Sequence, residues 1–455
     1  MRTAWYVAGN ILVLIGLLWA YRFVHRRSRL AGLTFAAGLL IRGAGAAFFL
    51  TISSYALPFM AASQMGGGFW LLAPDAQEYY RLTLLVLEQG ASTITIGYTW
   101  PLAQFMRLVG PTPAAPVLFA LVSHAAAVVA VVAAFGRNRT RGADQALLFC
   151  VAAFSCSPML VYAGMFGLKD VFSTTLVVIF TVGYLMLLTA SAARATVAAI
   201  LPAASALAAY WLLAGVRAYL VILLWAAVAV TYAACAIARI PSRRRAVLQA
   251  AAVLPILALV IVFASEGNYP RYLGLVATSI PAAVVTRQAP LAHGGIDEFD
   301  RRREAIDSYG GDSMLTPQVS QDETPSRLRG LAVGLGAVFV PISVLDALSI
   351  VDMHLGRLAH LVADADTLFL DVTALVAFWL LAVNRARVAP APVMFAVAVT
   401  LAVALPLAYV MTNYGTLVRL RLMVAAPIWL VTLALAPRFA AGRATPGPDP
   451  AVTST

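Results

Sequence analysis

The sequence predicts an all-α protein, a polytopic bundle of transmembrane helices, on three observations. Of its 455 residues, 62% are hydrophobic and 11% charged, and the mean hydropathy is +0.86. A soluble domain typically carries about 25% charged residues, which its surface needs whatever the size of its core. Apolar stretches long enough to cross a bilayer recur along the chain. Because strand alternation is absent and backbone groups in lipid must bond within their own segment, the spans are predicted to be helices.

About 11 spans are predicted from these stretches. Their approximate bounds are 5–21, 31–57, 113–135, 145–163, 171–190, 196–214, 218–238, 247–264, 366–383, 391–410 and 422–437.

The arginines predict an orientation for the bundle. Arginine-rich connections with almost no acidic residues fall on alternate sides of the predicted spans, as the positive-inside rule demands of cytoplasmic connections. They lie at 22–29, 137–141, 194, 239–245, 385–387 and 438–443. The remaining connections carry mixed charge and are predicted to be outside, at 58–112, 164–170, 215–217, 265–365 and 411–421. The N-terminus is then outside and the C-terminus cytoplasmic. The formal net charge of +12 is explained by topology and membrane lipids, so no nucleic-acid partner is expected.

These assignments divide the chain into five parts. They are 1–30, an N-terminal span and basic inner turn; 31–264, the core bundle with outer loop 58–112; 265–365, an outer loop; 366–440, the C-terminal spans; and 441–455, a disordered tail. Within the outer loop, 331–352 is apolar enough to span, but a further crossing would break the alternation, and Asp346 and Asp352 interrupt it. A re-entrant or interfacial segment is therefore predicted. Outer loop 58–112 is predicted to hold two short juxtamembrane helices, one after Asp75 and one from Thr99.

Asp75 is the first candidate for chemistry. It opens a predicted helix in the outer loop and is followed by Glu78 and Tyr79. A carboxylate at the membrane surface could act as a general base on a hydroxyl. The alternative is structural, since Asp75 with Glu78 three residues on also fits a helix capping box.

Two further candidates lie at the outer ends of predicted spans. Lys169 is the single lysine of the chain and stands beside Asp170. Its compact charge suits a phosphate, although a snorkelling anchor beside a helix cap has the same pattern. Arg217 lies between the next two spans, where the alternative is a simple turn residue.

Three arginines occupy places that topology does not favour. Arg42 lies near the middle of the second span, so it must face protein or a wet cavity and needs a partner. Arg419 and Arg421 lie at the outer mouth of the last span, against the positive-inside tendency. An anionic ligand would explain them, as would pairing with acids of the outer loop.

Metal and nucleotide chemistry find little support in the sequence. No histidines have ligand spacing, and there is no nucleotide-binding glycine loop. No cofactor is expected; a divalent metal is conceivable but unsupported.

Taken in order, the outer-side features resemble the GT-C superfamily of membrane glycosyltransferases, including bacterial members that use polyprenyl-phosphate-linked sugars. The likeness covers most of residues 30–440. It consists of Arg42 in a span, Asp75 and Tyr79 in the first outer loop, Lys169-Asp170, Arg217, a long outer loop with a re-entrant segment, and Gly415-Thr416…Arg419…Arg421…Pro427. The family often has two adjacent acids where this chain has Pro74-Asp75-Ala76, with Glu78 a turn later. An additional span also precedes the one that leads into the loop.

The resemblance implies an inverting glycosyltransferase in the bacterial inner (plasma) membrane. Its donor would be a polyprenyl-phosphate-linked sugar and its acceptor a glycan, lipid or protein at the outer face. Asp75 would be the catalytic base, and Lys169, Arg217 and Arg419 or Arg421 would meet the phosphate. The other expected substrate-binding residues are Asp170, Glu78, Tyr79 and Arg42. Alternatives are a cell-surface polysaccharide polymerase or ligase, which would depend on Arg419 and Arg421 rather than on Asp75, a lipid or glycan transporter, and a non-catalytic scaffold.

Overall fold

In the computed structural model the described part of the chain is almost entirely helical. It comprises residues 2–89, 97–136, 141–189, 195–237, 316–317, 327–348, 351–352, 357–385, 389–410 and 414–441. The helices are α1 (Arg2–Arg27), α2 (Arg29–Ser54), α3 (Pro74–Gln89), α4 (Thr99–Val109), α5 (Ala115–Phe135), α6 (Arg141–Cys156), α7 (Pro158–Met165), α8 (Lys169–Thr189), α9 (Ala195–Val216), α10 (Ala218–Ile237), α11 (Arg327–Phe339), α12 (Ile342–Ala347), α13 (Arg357–Val383), α14 (Pro390–Val410) and α15 (Tyr414–Ala441). A 3-10 turn (Ala61–Ser63) and two short antiparallel pairs, β1 (Gln64–Gly66) with β2 (Phe69–Trp70) and β3 (Thr316–Pro317) with β4 (Val351–Asp352), complete it.

Six helices within the described residues are long and apolar enough to cross a membrane. They lie in α1, α2, α5, α8, α13 and α15, and α6 with α7 would make a seventh as one span bent by 49°. Helical membrane character is thus confirmed, whereas the count of about 11 is not. Stretches of α9 and α14 are apolar but shorter. The predicted span 247–264 and the tail after residue 441 lie outside the described residues.

Two helices form the centre of the bundle. The apolar stretch of α8 is 83% buried and that of α15 is 89% buried, whereas α1, α2 and α13 bury less than a third of theirs. Helix α8 packs against α5, α9 and α15, and α15 also packs against α6, α13 and α14. The outer helices keep large apolar side chains exposed, as helices facing lipid do.

The two predicted short helices of loop 58–112 are confirmed as α3 and α4, which pack on each other at one end of the bundle. Helix α4 is attached to the start of α1. The indole nitrogen of Trp5 donates to the Arg107 carbonyl (3.0 Å), and the Asn10 amide donates to the Val109 carbonyl (2.9 Å). Because α1 is 26 residues long, or about 39 Å at 1.5 Å per residue, its arginine-bearing end lies at the opposite end of the bundle.

Arg42 is fully buried beside the break between α6 and α7. A broken helix leaves carbonyls without intrahelical donors. The guanidinium donates to the carbonyls of Phe154 (3.1 Å) and Ser155 (2.9 Å) in the last turn of α6. It also reaches Gly38 (2.9 Å) and Leu160 (3.4 Å). The partner that Arg42 needs is therefore backbone, at the negative end of a helix dipole.

The other side of the break carries the complementary charge. The buried carboxylate of Asp366, from α13, accepts from the Met159 amide (2.9 Å) and the Ser157 hydroxyl (3.0 Å) at the start of α7. An anion thus faces the positive end of α7, as a cation faces the negative end of α6. These two buried charges stabilise a bend in the chain.

Replacing Arg42 by methionine is expected to destabilise the fold. It would leave buried carbonyls at the end of α6 without donors, at a cost of about 1–3 kcal/mol each. A thermal unfolding measurement in detergent should therefore show a lower midpoint for Arg42→Met than for Arg42→Lys, which retains the charge. Equal midpoints for Arg42→Met and the wild type would contradict this role.

Two short helices, α11 and α12, occupy most of the described part of the predicted segment 331–352. Helix α11 has 13 residues, about 20 Å in length, against a hydrocarbon core of about 30 Å. The chain breaks at Pro341, and the carboxylate of Asp364 accepts from the Ile342 amide (2.6 Å) at the start of α12. Helix α11 packs against α14 and α15.

Candidate functional site

Lys169 and Asp170 are positioned by the turn between α7 and α8. Gly167 has φ of +66° there, and a β-carbon at this position would meet the backbone of Pro116 and Val117. Glycine is thus required both for the turn and for the close approach. The next helix starts at Lys169, which places Asp170 in its first turn.

Asp170 is the buried anchor of a group of charges. Its carboxylate forms an ion pair with Arg217, and both side chains are less than a tenth exposed. Arg217 occupies the single residue between α9 and α10, so its backbone is fixed by two helix ends. A buried carboxylate is tolerated when it is paired in this way.

Arg419 connects Asp170 to Asp75. From the first turns of α15 its Nη1 lies 2.9 Å from Asp75 Oδ2, and its Nε lies 3.6 Å from Asp170 Oδ2. The Asp75 side chain is 43% exposed and that of Arg419 is 18% exposed. The pair is therefore the accessible part of a group whose interior is Asp170 and Arg217.

The structure excludes the capping-box interpretation of Asp75. Helix α3 begins at Pro74, so Asp75 lies inside the helix and its carboxylate is directed to Arg419. Glu78 instead pairs with Arg81 one turn on (2.7 Å) at an exposed position. The hydrogen bond from Arg81 lowers the pKa of Glu78.

Lys169 lies against an aromatic ring. Its Nζ is 4.8 Å from the centre of the Tyr79 ring, a cation–π distance. Burial, and then the nearby charge of Asp75, raise the pKa of Tyr79, which keeps its phenol neutral. Among the described residues, no carboxylate lies within ion-pair distance of the lysine. The ammonium is thus held by a neutral partner that an anion could replace.

Five charged residues, which we name the charged cluster, thus converge from α3, α8, the α9–α10 junction and α15. They are Asp75, Lys169, Asp170, Arg217 and Arg419. Three cations against two carboxylates leave one positive charge. An ion-paired group that lies partly open at the end of a bundle suits a ligand with one negative charge.

Three predicted site residues lie elsewhere. Arg42 holds the α6–α7 break, and Glu78 pairs with Arg81 at the surface. Arg421 is buried and donates to the Thr367 hydroxyl and the Ala337 carbonyl, which ties α15 to α13 and α11. The first three residues of the predicted outer connection 411–421 lie outside the described residues.

Two tyrosines that were not identified from the sequence support the charged cluster. The Tyr98 hydroxyl donates to the Gly167 carbonyl (3.2 Å), and its ring meets that of Tyr79 edge-on. The Tyr162 hydroxyl donates to the Leu72 carbonyl, just ahead of α3. Tyr98 could have been noticed because it directly precedes a predicted helix, whereas nothing in the sequence marks Tyr162.

The charged cluster itself contains two carboxylates and no histidine or cysteine. No group of three histidine, cysteine or acidic side chains lies together among the residues that the structure describes. Both carboxylates of the cluster already accept from arginine.

Tyr79→Leu and Tyr79→Phe are expected to differ in anion binding. Phenylalanine keeps a ring under the ammonium, whereas leucine loses a contact worth about 0.5–2 kcal/mol. If the ring orients Lys169, Tyr79→Phe should bind a phosphate lipid as the wild type does and Tyr79→Leu should bind it several-fold more weakly. A titration by native mass spectrometry measures this. Equal affinities of Tyr79→Leu and Tyr79→Phe would show that the Tyr79 ring does not contribute to anion binding.

No family model, curated protein or solved structure matched the chain.

Proposed function

We propose that this chain is a membrane glycosyltransferase of the GT-C type, which moves a sugar from a polyprenyl-phosphate donor to an acceptor hydroxyl with inversion. The observation that carries the proposal is the convergence of Asp75, Lys169, Asp170, Arg217 and Arg419. The bacterial inner membrane, an outward-facing site and about 11 spans belong to the same proposal.

The residue types suit this reaction. A sugar on a lipid phosphate already has a good leaving group, so the enzyme needs a base for the acceptor and cations for the departing phosphate. Asp75, the exposed carboxylate, would take the proton of the hydroxyl. The acceptor oxygen then bonds to the anomeric carbon from the opposite face. The bond from that carbon to the phosphate oxygen breaks, and its electron pair leaves with the phosphate.

The net charge of the cluster suits the donor and the product in turn. A polyprenyl-phosphate sugar is a phosphodiester with one negative charge, which the one uncompensated cation balances. The departing monoester carries more negative charge. Lys169, whose ammonium lies 4.8 Å from the centre of the neutral Tyr79 ring, could move onto that phosphate as the charge develops. The buried ion pair of Arg217 and Asp170 would stay intact during the reaction.

The Asp75–Arg419 pair suggests how the base becomes available. In the resting state Arg419 bonds Asp75 at 2.9 Å, so the carboxylate oxygen that faces Arg419 is already occupied by a hydrogen bond. A donor phosphate would compete for Arg419 and release Asp75 next to the acceptor. Proton transfer would thereby depend on donor binding.

The assay uses purified protein in nanodiscs with a panel of polyprenyl-phosphate hexoses and pentoses. Without an acceptor, a transferase of this kind should hydrolyse its own donor slowly, with water as the acceptor, and release polyprenyl phosphate. NMR of the released sugar should show an inverted anomer at first. Failure to bind or cleave any member of the panel, in protein that is folded by thermal unfolding, would overturn the proposal.

A transporter is the second candidate, and one observation favours it. Transporters place charged groups at discontinuous helices, and α6–α7 is a broken helix with Arg42 and Asp366 at its two ends. Both charges are, however, engaged with helix ends rather than aimed into a cavity. Flux of a labelled lipid across proteoliposomes, without bond cleavage, would favour this candidate over transfer.

A further inference from the structure

The exposed face of α1 changes from apolar to cationic along its length. Ile11, Ile15 and Leu18 are each about half exposed or more, and spacings of three and four residues place them on one face. The same spacing continues through Arg22 and Arg26, both exposed. One helix face therefore presents hydrocarbon and then guanidinium groups.

A second, parallel row repeats the pattern. Trp19 stacks on Phe23, with ring centres 5.4 Å apart, and the guanidinium of Arg27 lies 5.7 Å from the Phe23 ring centre. Aromatic rings at the level of the lipid headgroups are typical of membrane interfaces. The cation lies directly beyond them.

The tip of the α1–α2 hairpin gathers these arginines on two helices. Ser28 caps the start of α2, its hydroxyl accepting from the Ala31 amide (3.4 Å), and Arg29 follows at once. The arginine tip, by which we mean Arg22, Arg26, Arg27 and Arg29, has no carboxylate within ion-pair distance among the described residues. Positive charge is thus concentrated where the protein supplies no counterion.

The dimensions match half a bilayer. From Ile11 to Arg22 the helix rises about 16 Å, and half of the hydrocarbon core is about 15 Å. An acyl chain lying along the apolar row would bring its phosphate to Arg22 and Arg26.

We propose that the arginine tip and the adjoining face of α1 bind anionic phospholipid, with the headgroup phosphate on the guanidinium groups and an acyl chain along Ile11, Ile15 and Leu18. A cluster of arginines at a membrane surface attracts anionic headgroups, and each residue contributes about fivefold in affinity. This site lies at the end of the bundle away from the charged cluster and does not depend on the proposed transfer reaction.

The experiment is a titration of the purified protein with phosphatidylglycerol and with phosphatidylcholine, followed by native mass spectrometry. The wild type should prefer phosphatidylglycerol. Arg22→Gln, Arg26→Gln and Arg29→Gln combined should lower that preference on the order of a hundredfold. The matched lysine triple variant should keep it.

Arg81→Gln with Arg107→Gln is the control, since these exposed arginines lie on α3 and α4 at the other end. The proposal is overturned if the glutamine triple variant keeps the preference, or if the control loses it equally. If the glutamine triple variant does not fold, the salt dependence of the lipid preference of the wild type tests the proposal instead. The preference should fall between about 0.1 M and about 1 M salt, as the Debye length drops from about 10 Å to about 3 Å, and a preference insensitive to salt overturns the proposal.

Discussion

Asp75→Asn is expected to lower the rate of sugar transfer by about 10²–10⁴-fold, the usual contribution of a general base. Asparagine has the same shape and can still accept a hydrogen bond from Arg419, but it cannot take a proton from the acceptor. Because the charge that competes with phosphate for Arg419 is gone, the variant should bind polyprenyl phosphate at least as tightly as the wild type. A rate loss without an affinity loss separates a base from a binding residue.

The control for Asp75 is Glu78→Gln. Glu78 lies one turn on in the same helix, is exposed, and pairs with Arg81 outside the charged cluster. It should leave both rate and affinity within about twofold, since exposed pairs contribute about 0–1 kcal/mol. Transfer by a folded Asp75→Asn variant at the wild-type rate would exclude Asp75 as the base and favour a polymerase or ligase that depends on arginines.

Arg419→Gln is expected to weaken polyprenyl phosphate binding by about 10²-fold. A charge-assisted hydrogen bond to the phosphate contributes about 1.5–3 kcal/mol. The loss of Arg419 also leaves the negative charge of Asp75 without this partner, and that charge repels the phosphate. Arg419 reaches both carboxylates of the charged cluster, at 2.9 and 3.6 Å. The measurement is the dissociation constant from native mass spectrometry, with Arg81→Gln as the control.

Arg421→Gln separates the two neighbouring arginines. Arg421 is almost fully buried and bonds Thr367 and the Ala337 carbonyl. Its loss should therefore lower the unfolding midpoint more than it weakens phosphate binding. Arg419 is partly exposed, so its loss should weaken phosphate binding more than it lowers the unfolding midpoint. Binding by Arg419→Gln as tight as that of the wild type would contradict its assignment to the phosphate.

The sequence predicted that four members of the charged cluster lie on one side of the membrane, whereas their convergence emerges only from the fold. Asp75, Lys169, Asp170 and Arg217 each lie at the end of a predicted helix, and the arginine pattern placed all of those ends on one side. Side chains at the same end of a helical bundle lie near one another. The pairing of Arg419 with Asp75, 344 residues apart, could not be chosen over Arg421, because the two arginines differ only in the face of α15 that they occupy.

The sequence left a functional and a structural role open for Arg42, and it could not identify the partners of the guanidinium. A buried cation was expected to need an anion or a ligand, yet its partners are carbonyls exposed by a helix break inside the predicted span 145–163. Ser157-Pro158 is the signal of that break, since proline favours the first turn of a new helix. The capping box of Asp75 and Glu78 does not form because the helix starts at Pro74, two residues earlier than such a box requires.

Polyprenyl phosphate binding should be compared for Asp75→Asn and Arg419→Gln in the same nanodiscs. The central claim is that one phosphate exchanges with Asp75 for Arg419. It predicts that Asp75→Asn binds at least as tightly as the wild type, whereas Arg419→Gln binds about 10²-fold more weakly. Equal affinities for wild type and both variants, in folded protein, would contradict it.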